Sequence, residues 1–220
     1  AGTGDVEIEA SSRSASVVKA AAAVEGTGGT AQVGVGASVG VNVGVNTTLA
    51  ELANAAVLSG GANMRVNASS EHTMGTEVTG GAGGARIAVT PVAAVTVGIN
   101  STTARRGTGA ALNLSGGYAS LAEQTTEQTT SATGQTQGNQ VAIGASLALG
   151  VAEDTVVASI ERNLTAADDV DVMASGTSKS DTSATASVKP APRSSAGHSA
   201  STAPKPLAAS RISHCQPLAW

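Results

Sequence analysis

Between Val33 and Val45 the chain alternates without a break: valines at 33, 35, 39, 41, 43 and 45, with Ala37 among them, take every second position. Gly34, Gly36, Ser38, Gly40, Asn42, Gly44 and Asn46 take the places between. A period of two puts the two sets on opposite faces of an extended strand, whereas a helix would scatter them. β-Branched residues favour pleated backbone, and each interspersed glycine would cost about 0.5–1 kcal/mol in a helix interior. The pattern therefore predicts strands with valine turned inward and glycine outward. Val35, Val39, Val41, Val43, Val95, Val97, Leu147, Leu149 and Val151 are the expected core.

The same wording recurs along the chain. Ala37–Val43 reappears as Ala145–Val151 at an offset of 108 residues, twice 54, and Val97–Ala104 holds the same phase as Val43–Ala50. A second signature, Asp5-Val6-Glu7-Ile8, returns as Asn63-Met64-Arg65-Val66 and Asp169-Val170-Asp171-Val172. Copies at fixed spacing mean one folding unit stacked along an axis. The fold class expected is all-β, a repetitive parallel β-solenoid (β-helix) over 1–188, with units near 30–83, 84–137 and 138–188. A 54-residue superperiod allows two coils of about 27 residues or three of about 18, giving a stack of about 7–10 coils and roughly 35–50 Å. The alternation from Val33 is long for one solenoid face, so a stack of long antiparallel strands is the alternative. Glycines at 80, 81, 83 and 84 are read as a separator between units. The alanine run at 20–23 follows alternating serines, and with the Ser/Thr stretch at 125–136 it is read as outward-facing strand rather than helix.

Composition changes this picture little but excludes much. In 220 residues there are one Tyr, one Trp and no Phe, so the core must be thin and aliphatic. Net charge is −4, and the one adjacent basic pair, Arg105-Arg106, has no aromatic neighbours. Nothing there funnels a nucleic-acid backbone, and the pair reads as a solvated turn or a local irregularity. Cys215 is alone, so neither a disulfide framework nor a cysteine-based zinc site supports the fold. No apolar run of 18 or more residues is present, and the chain is not expected to span a membrane by a helix. From Lys189 the periodicity ends in Lys-Pro-Ala-Pro, and 189–220 is expected to be a disordered or irregular C-terminal tail.

Candidate chemistry is sparse. Gly36-Ala37-Ser38-Val39-Gly40 is a literal Gly-x-Ser-x-Gly, but a nucleophile elbow needs a sharp strand-to-helix turn, and the alternation runs straight through Ser38. His72, the one histidine within the repeats, lies in a polar run read as a turn. Glu153, Asp154, Asp168, Asp169 and Asp171 make the third unit acidic without the spacing of a calcium loop. Asn46, Asn100 and Asp154 occupy equivalent positions and are expected to stabilise turns. No catalytic, cofactor-binding or metal-ligating residue is assigned, and no cofactor is expected.

The wording Val-Gly-Val-Gly-Ala-Ser-Val-Gly-Val-Asn-Val at 33–43, with Asn46-Thr47-Thr48 and the strands at 5–11 and 168–175, resembles the repeats of very large bacterial exported proteins. Filamentous-haemagglutinin-like and autotransporter-like adhesins are the families meant. The resemblance covers about 1–188 and implies a parallel β-solenoid at the bacterial cell surface or outside the cell. The function expected is a structural stalk or adhesive scaffold without catalysis. Its partners would be host or environmental glycans, or other surface proteins, reached through a longer parent protein. Two alternatives stand beside it: a Thr/Ser-face binding module for polysaccharide or ice, with Thr47-Thr48, Ser101-Thr102-Thr103 and Thr125-Thr126/Thr129-Thr130 as ranks, and a carbohydrate-active β-helix enzyme.

Overall fold

A computed structural model describes residues 4–22, 32–83 and 86–190. The stretch Gly26-Thr27-Gly28-Gly29, whose spelling predicts a turn, and most of the tail lie outside them. Among the described residues there is no helix, and long strands carry almost everything. Sheet A is built from β1 (Val6–Ala21), β4 (Met64–Gly83), β7 (Tyr118–Gly138) and β10 (Val170–Pro190), in the order β1-β4-β7-β10. Sheet B contains β2 (Val33–Val35) and β3 (Ser38–Leu52) on one side of β5 (Ile87–Arg106), and β8 (Val141–Ile160) on the other. A two-stranded sheet C pairs β6 (Leu112–Asn113) with β9 (Leu164–Thr165) at the corner.

Every pairing is parallel, so the all-β parallel solenoid holds and the antiparallel alternative does not. Val41 stands beside Val95, Val95 beside Leu149, and Met64 beside Tyr118, each 54 positions on. One coil is thus the whole superperiod. It is neither 27 nor 18 residues, because strands of 20 or 21 residues fill each of two long sides. Only four strands stack in sheet A, so the described residues rise about 19 Å at 4.8 Å per strand, not 35–50 Å. Their strands extend roughly 65 Å, and the body is a slab broader than it is high.

The second signature has a fourth copy that its spelling hides: Tyr118-Ala119-Ser120-Leu121-Ala122 opens β7 in register with Met64. The alanines at 20 and 21 are strand, as the preceding serines imply, but the outward assignment fails: Ala20 packs against the Val78 cluster, and Thr126, Thr130 and Thr136 of the 125–136 stretch are buried. Gly80, Gly81 and Gly83 are not a separator but the end of β4. β10 runs through Lys189 to Pro190, two residues into the segment expected to be tail.

The inward assignment of the valines is overturned. Val35, Val39, Val41 and Val43 are 55–68% exposed, Leu147, Leu149 and Val151 are 44–60% exposed, and Val95 and Val97 are half-buried on that same outward face. Gly40, Asn42, Thr48 and Ala50 face the interior instead. The reason is the closeness of the two sheets. A Cβ on Gly36 would overlap the carbonyl oxygen of Gly81, and one on Gly40 would stand 2.6 Å from Val78 Cγ2. Sheet A already fills the gap with Val66, Met74 and Val78, so sheet B must meet it with small residues, and its valines go outside.

The interior is apolar at both ends and polar in the middle. Near the corner Met64, Val66, Ala104, Leu112 and Tyr118 pack together, and at the far end Val78, Val92, Ala94 and Ala132 do so. Pro91 in the central strand β5 is tolerated because its neighbour is interrupted at Gly36–Ala37, so the ladder there is broken already.

Candidate functional site

Between the two apolar ends lies a belt of hydrogen-bonded side chains. Asn46 Nδ2 donates to Asn100 Oδ1 at 2.8 Å, and Asn100 Nδ2 donates to Asp154 Oδ1 at 2.8 Å, one bond per coil. From sheet A, Gln124 Nε2 donates to Asp154 Oδ1 at 3.0 Å and Thr126 Oγ1 to Oδ2 at 2.8 Å. Thr96 Oγ1 donates to Thr76 Oγ1 at 2.7 Å and accepts from Thr130 Oγ1 at 2.8 Å. Asn46, Asn100 and Asp154 are therefore not turn residues. They sit mid-strand and stack inside, where register brings like side chains together. Asp154 leaves the other expected carboxylates for this interior; Glu153 is exposed on the opposite face, and Asp168, Asp169 and Asp171 are exposed on and beside the corner loop. Among the described residues, no group of three or more His, Cys, Asp or Glu side chains comes together.

His72 is 1% exposed and belongs to this belt, not to a turn. Its Nδ1 shares a 2.7 Å hydrogen bond with Ser14 Oγ, and its Nε2 has no protein partner. Burial pushes the imidazole pKa below its ordinary value, against the opposing pull of the Asp154 charge. Beside it is a void of about 10 Å³, the size of one water, lined by His72, Asn100, Thr126 and Gln128 among others.

Ser38 is also buried, but the structure does not bring it to His72. Ser14 bonds both His72 and Asn46, which fixes the imidazole at the level of Asn46. Ser38 lies eight residues back along the same extended strand, roughly 26 Å away. Ser38 opens β3, and strand rather than helix follows it, so the elbow geometry is missing. The Thr/Ser ranks divide in the same way: Thr48, Thr102, Thr126 and Thr130 point in, Thr47 and Thr125 point out, and no flat double rank forms from them.

Two arginines hold the corner. Arg106, placed by register beside Leu52 and Ile160, is fully buried with its guanidinium 5.2 Å from the Tyr118 ring centroid. It donates to the Arg162 carbonyl oxygen. Arg162 in turn donates to the carbonyls of Gly107, Ala53, Ala56 and Thr108, joining loops of successive coils. Burial lowers the Arg106 pKa and raises that of Tyr118. The expectation of a solvated turn is corrected: both residues end strand β5, Arg106 is interior, and Arg105 stays partly exposed in an ion pair with Glu51 at 2.7 Å. The equivalence of positions 52, 106 and 160 is the signal in the sequence; what holds a guanidinium where Leu and Ile stand is one carbonyl and the Tyr118 ring, while its Nε and Nη1 have no protein partner.

The other candidate is the outward face of sheet B. Its rows carry no charged residue from 33 to 45, 87 to 99 or 141 to 151, and a groove of about 310 Å³ crosses them at Ala37, Pro91 and Ala145. Comparison with family models, curated proteins and solved structures finds no match for the chain. No helix of the described residues is long and apolar enough to cross a membrane, which says nothing of strands.

Proposed function

We propose that this chain is a structural and adhesive scaffold of a bacterial cell-surface or secreted protein, without catalytic activity. The observation that carries the reading is how the specialised side chains are used. Arg86 donates to Gln32 and Gln140, Arg105 to Glu51, and Asn100 links Asn46 to Asp154, each across 54 residues. Residues that in an enzyme would converge on a substrate here bond one coil to the next. Such nearest-neighbour stacking is how repeat proteins make stiff, extensible bodies. The resemblance of the repeats to exported adhesins supports the location. Surface glycans and other surface proteins are the partner classes that follow.

The test is a hydrolysis assay on ester and glycan substrates with the parent and Ser38→Ala, beside a glycan-binding screen. Equal background rates in both proteins are expected. Turnover by the parent that disappears in Ser38→Ala overturns the reading.

A further inference from the structure

Apolar residues on the outside of a sheet need a cover, and the outward face of sheet B has far more of them than scattered surface valines account for. Val41, Val95 and Leu149 form one rank across the three stacked coils, with Val43, Val97 and Val151 two residues on. The uncharged run from Val33 to Val45 extends roughly 40 Å, and three strands give it about 14 Å of width, or about 600 Å² before corrugation. That is at the upper end of the largest apolar patch on an ordinary monomer.

The chemistry of the face selects its occupant. A lipid surface is met by aromatic and free basic side chains at the rim; the uncharged rows contain no Trp or Tyr, and the arginines that flank them, Arg86 and Arg105, are tied to Gln32, Gln140 and Glu51. Branched aliphatics at a two-residue period instead offer ridges that interdigitate with an identical set, as in two sheets packed about 10 Å apart. Two such faces together hide roughly 1,200 Å², inside the range of specific protein interfaces. The outward face of sheet A carries charged pairs, with Arg13 on Glu71, Lys19 on Glu77 and Lys179 on Glu127, so of the two described sheet faces that of sheet B is the one fit to pair. A contact of one patch with itself closes as a two-fold dimer and does not propagate.

We propose that the outward face of sheet B is a self-association surface on which a second copy of this chain docks, sheet against sheet. The inference is independent of the adhesive role. Sedimentation velocity of the full chain up to roughly 100 µM tests it, a range that reaches well above the micromolar end for standard interfaces and so covers one at the lower edge of that class. A dimer is expected. Val95→Lys puts a charge into the middle of the interface and weakens association about 30-fold or more, with the circular dichroism of the monomer unchanged. Val41→Lys, on a more exposed side chain of the same rank, does the same, while Glu77→Lys on the charged side leaves the dimer intact. A monomer across the whole range overturns the proposal. So does a dimer that survives both valine substitutions, a dimer lost in Glu77→Lys, or a monomer that floats with phosphatidylcholine–phosphatidylglycerol vesicles.

Discussion

Sheet A and sheet B border the same interior from opposite sides and turn opposite surfaces outward. Sheet A sends Val66, Val78 and Met74 in and keeps Glu71, Glu77 and Glu127 in water, the usual order for a sheet with one wet face. Sheet B sends in Gly40, Asn42 and Thr48 and keeps Val39, Val41 and Val43 outside. Alternation alone tells which residues share a face, not which face is buried. Volume decides that here. Once sheet A has filled the gap, a facing strand of valines would overlap Val78 and the Gly81 carbonyl, and glycine, alanine, serine, threonine and asparagine fit.

The sharpest way to break this comparison is to place one charge on each side of sheet B. Ala94 is fully buried between Val78 and Ala132, whereas Val41, beside its neighbour Val95, is 55% exposed. Ala94→Asp is expected to cost about 3–4 kcal/mol, because a carboxylate enters a dry cluster with no partner. Val41→Asp is expected to cost no more than about 1 kcal/mol when unfolding is measured at low protein concentration, where association does not contribute. Thermal or urea unfolding of the two variants beside the parent decides it. A large loss from Val41→Asp with little from Ala94→Asp would restore the inward valines.

A middle-sized effect separates the polar belt from the apolar ends. Asn100→Ala deprives Asn46 of its acceptor and Asp154 of a donor, and leaving buried polar groups unpaired should cost about 2 kcal/mol. Urea unfolding of this variant measures it. An unchanged midpoint would mean that the ladder adds nothing beyond packing.

What the sequence made legible was whatever depends on spacing. Copies in phase gave the parallel stack and the register of 54, because like residues must stand side by side for the ladder to close. Coil length was not legible, since 54 divides evenly into shorter coils and nothing local marks a corner. β7 was recognised as strand, but Tyr118 and Ser120 spell its opening differently from Met64 and Val66, so its copy went unread. The belt was half legible: the equivalence of Asn46, Asn100 and Asp154 was plain, yet Asn and Asp are turn formers by local propensity, and only tertiary register makes them a stacked interior ladder. Arg106 and Arg162 escaped because their partners are backbone carbonyls and an aromatic ring brought up from other parts of the chain.

The smallest effect expected is the pH response of the belt, and it distinguishes a buried histidine from one in a solvated turn. Burial holds the His72 pKa below 6.5, with Asp154 pulling weakly the other way. The unfolded chain then takes up a proton at a higher pH than the folded one, so between the folded pKa and 6.5 the unfolded state binds more protons. Stability from this group is fully present above 6.5 and is lost as pH falls through that window. His72→Gln has no ring to protonate, so its unfolding midpoint should fall less than that of the parent between about pH 7 and about pH 5. Because Ser14 and Asp154 surround the ring, the variant also loses some stability at neutral pH, and the slope rather than the midpoint is the quantity to compare. Parallel slopes for His72→Gln and the parent would place the imidazole in water rather than between the two sheets.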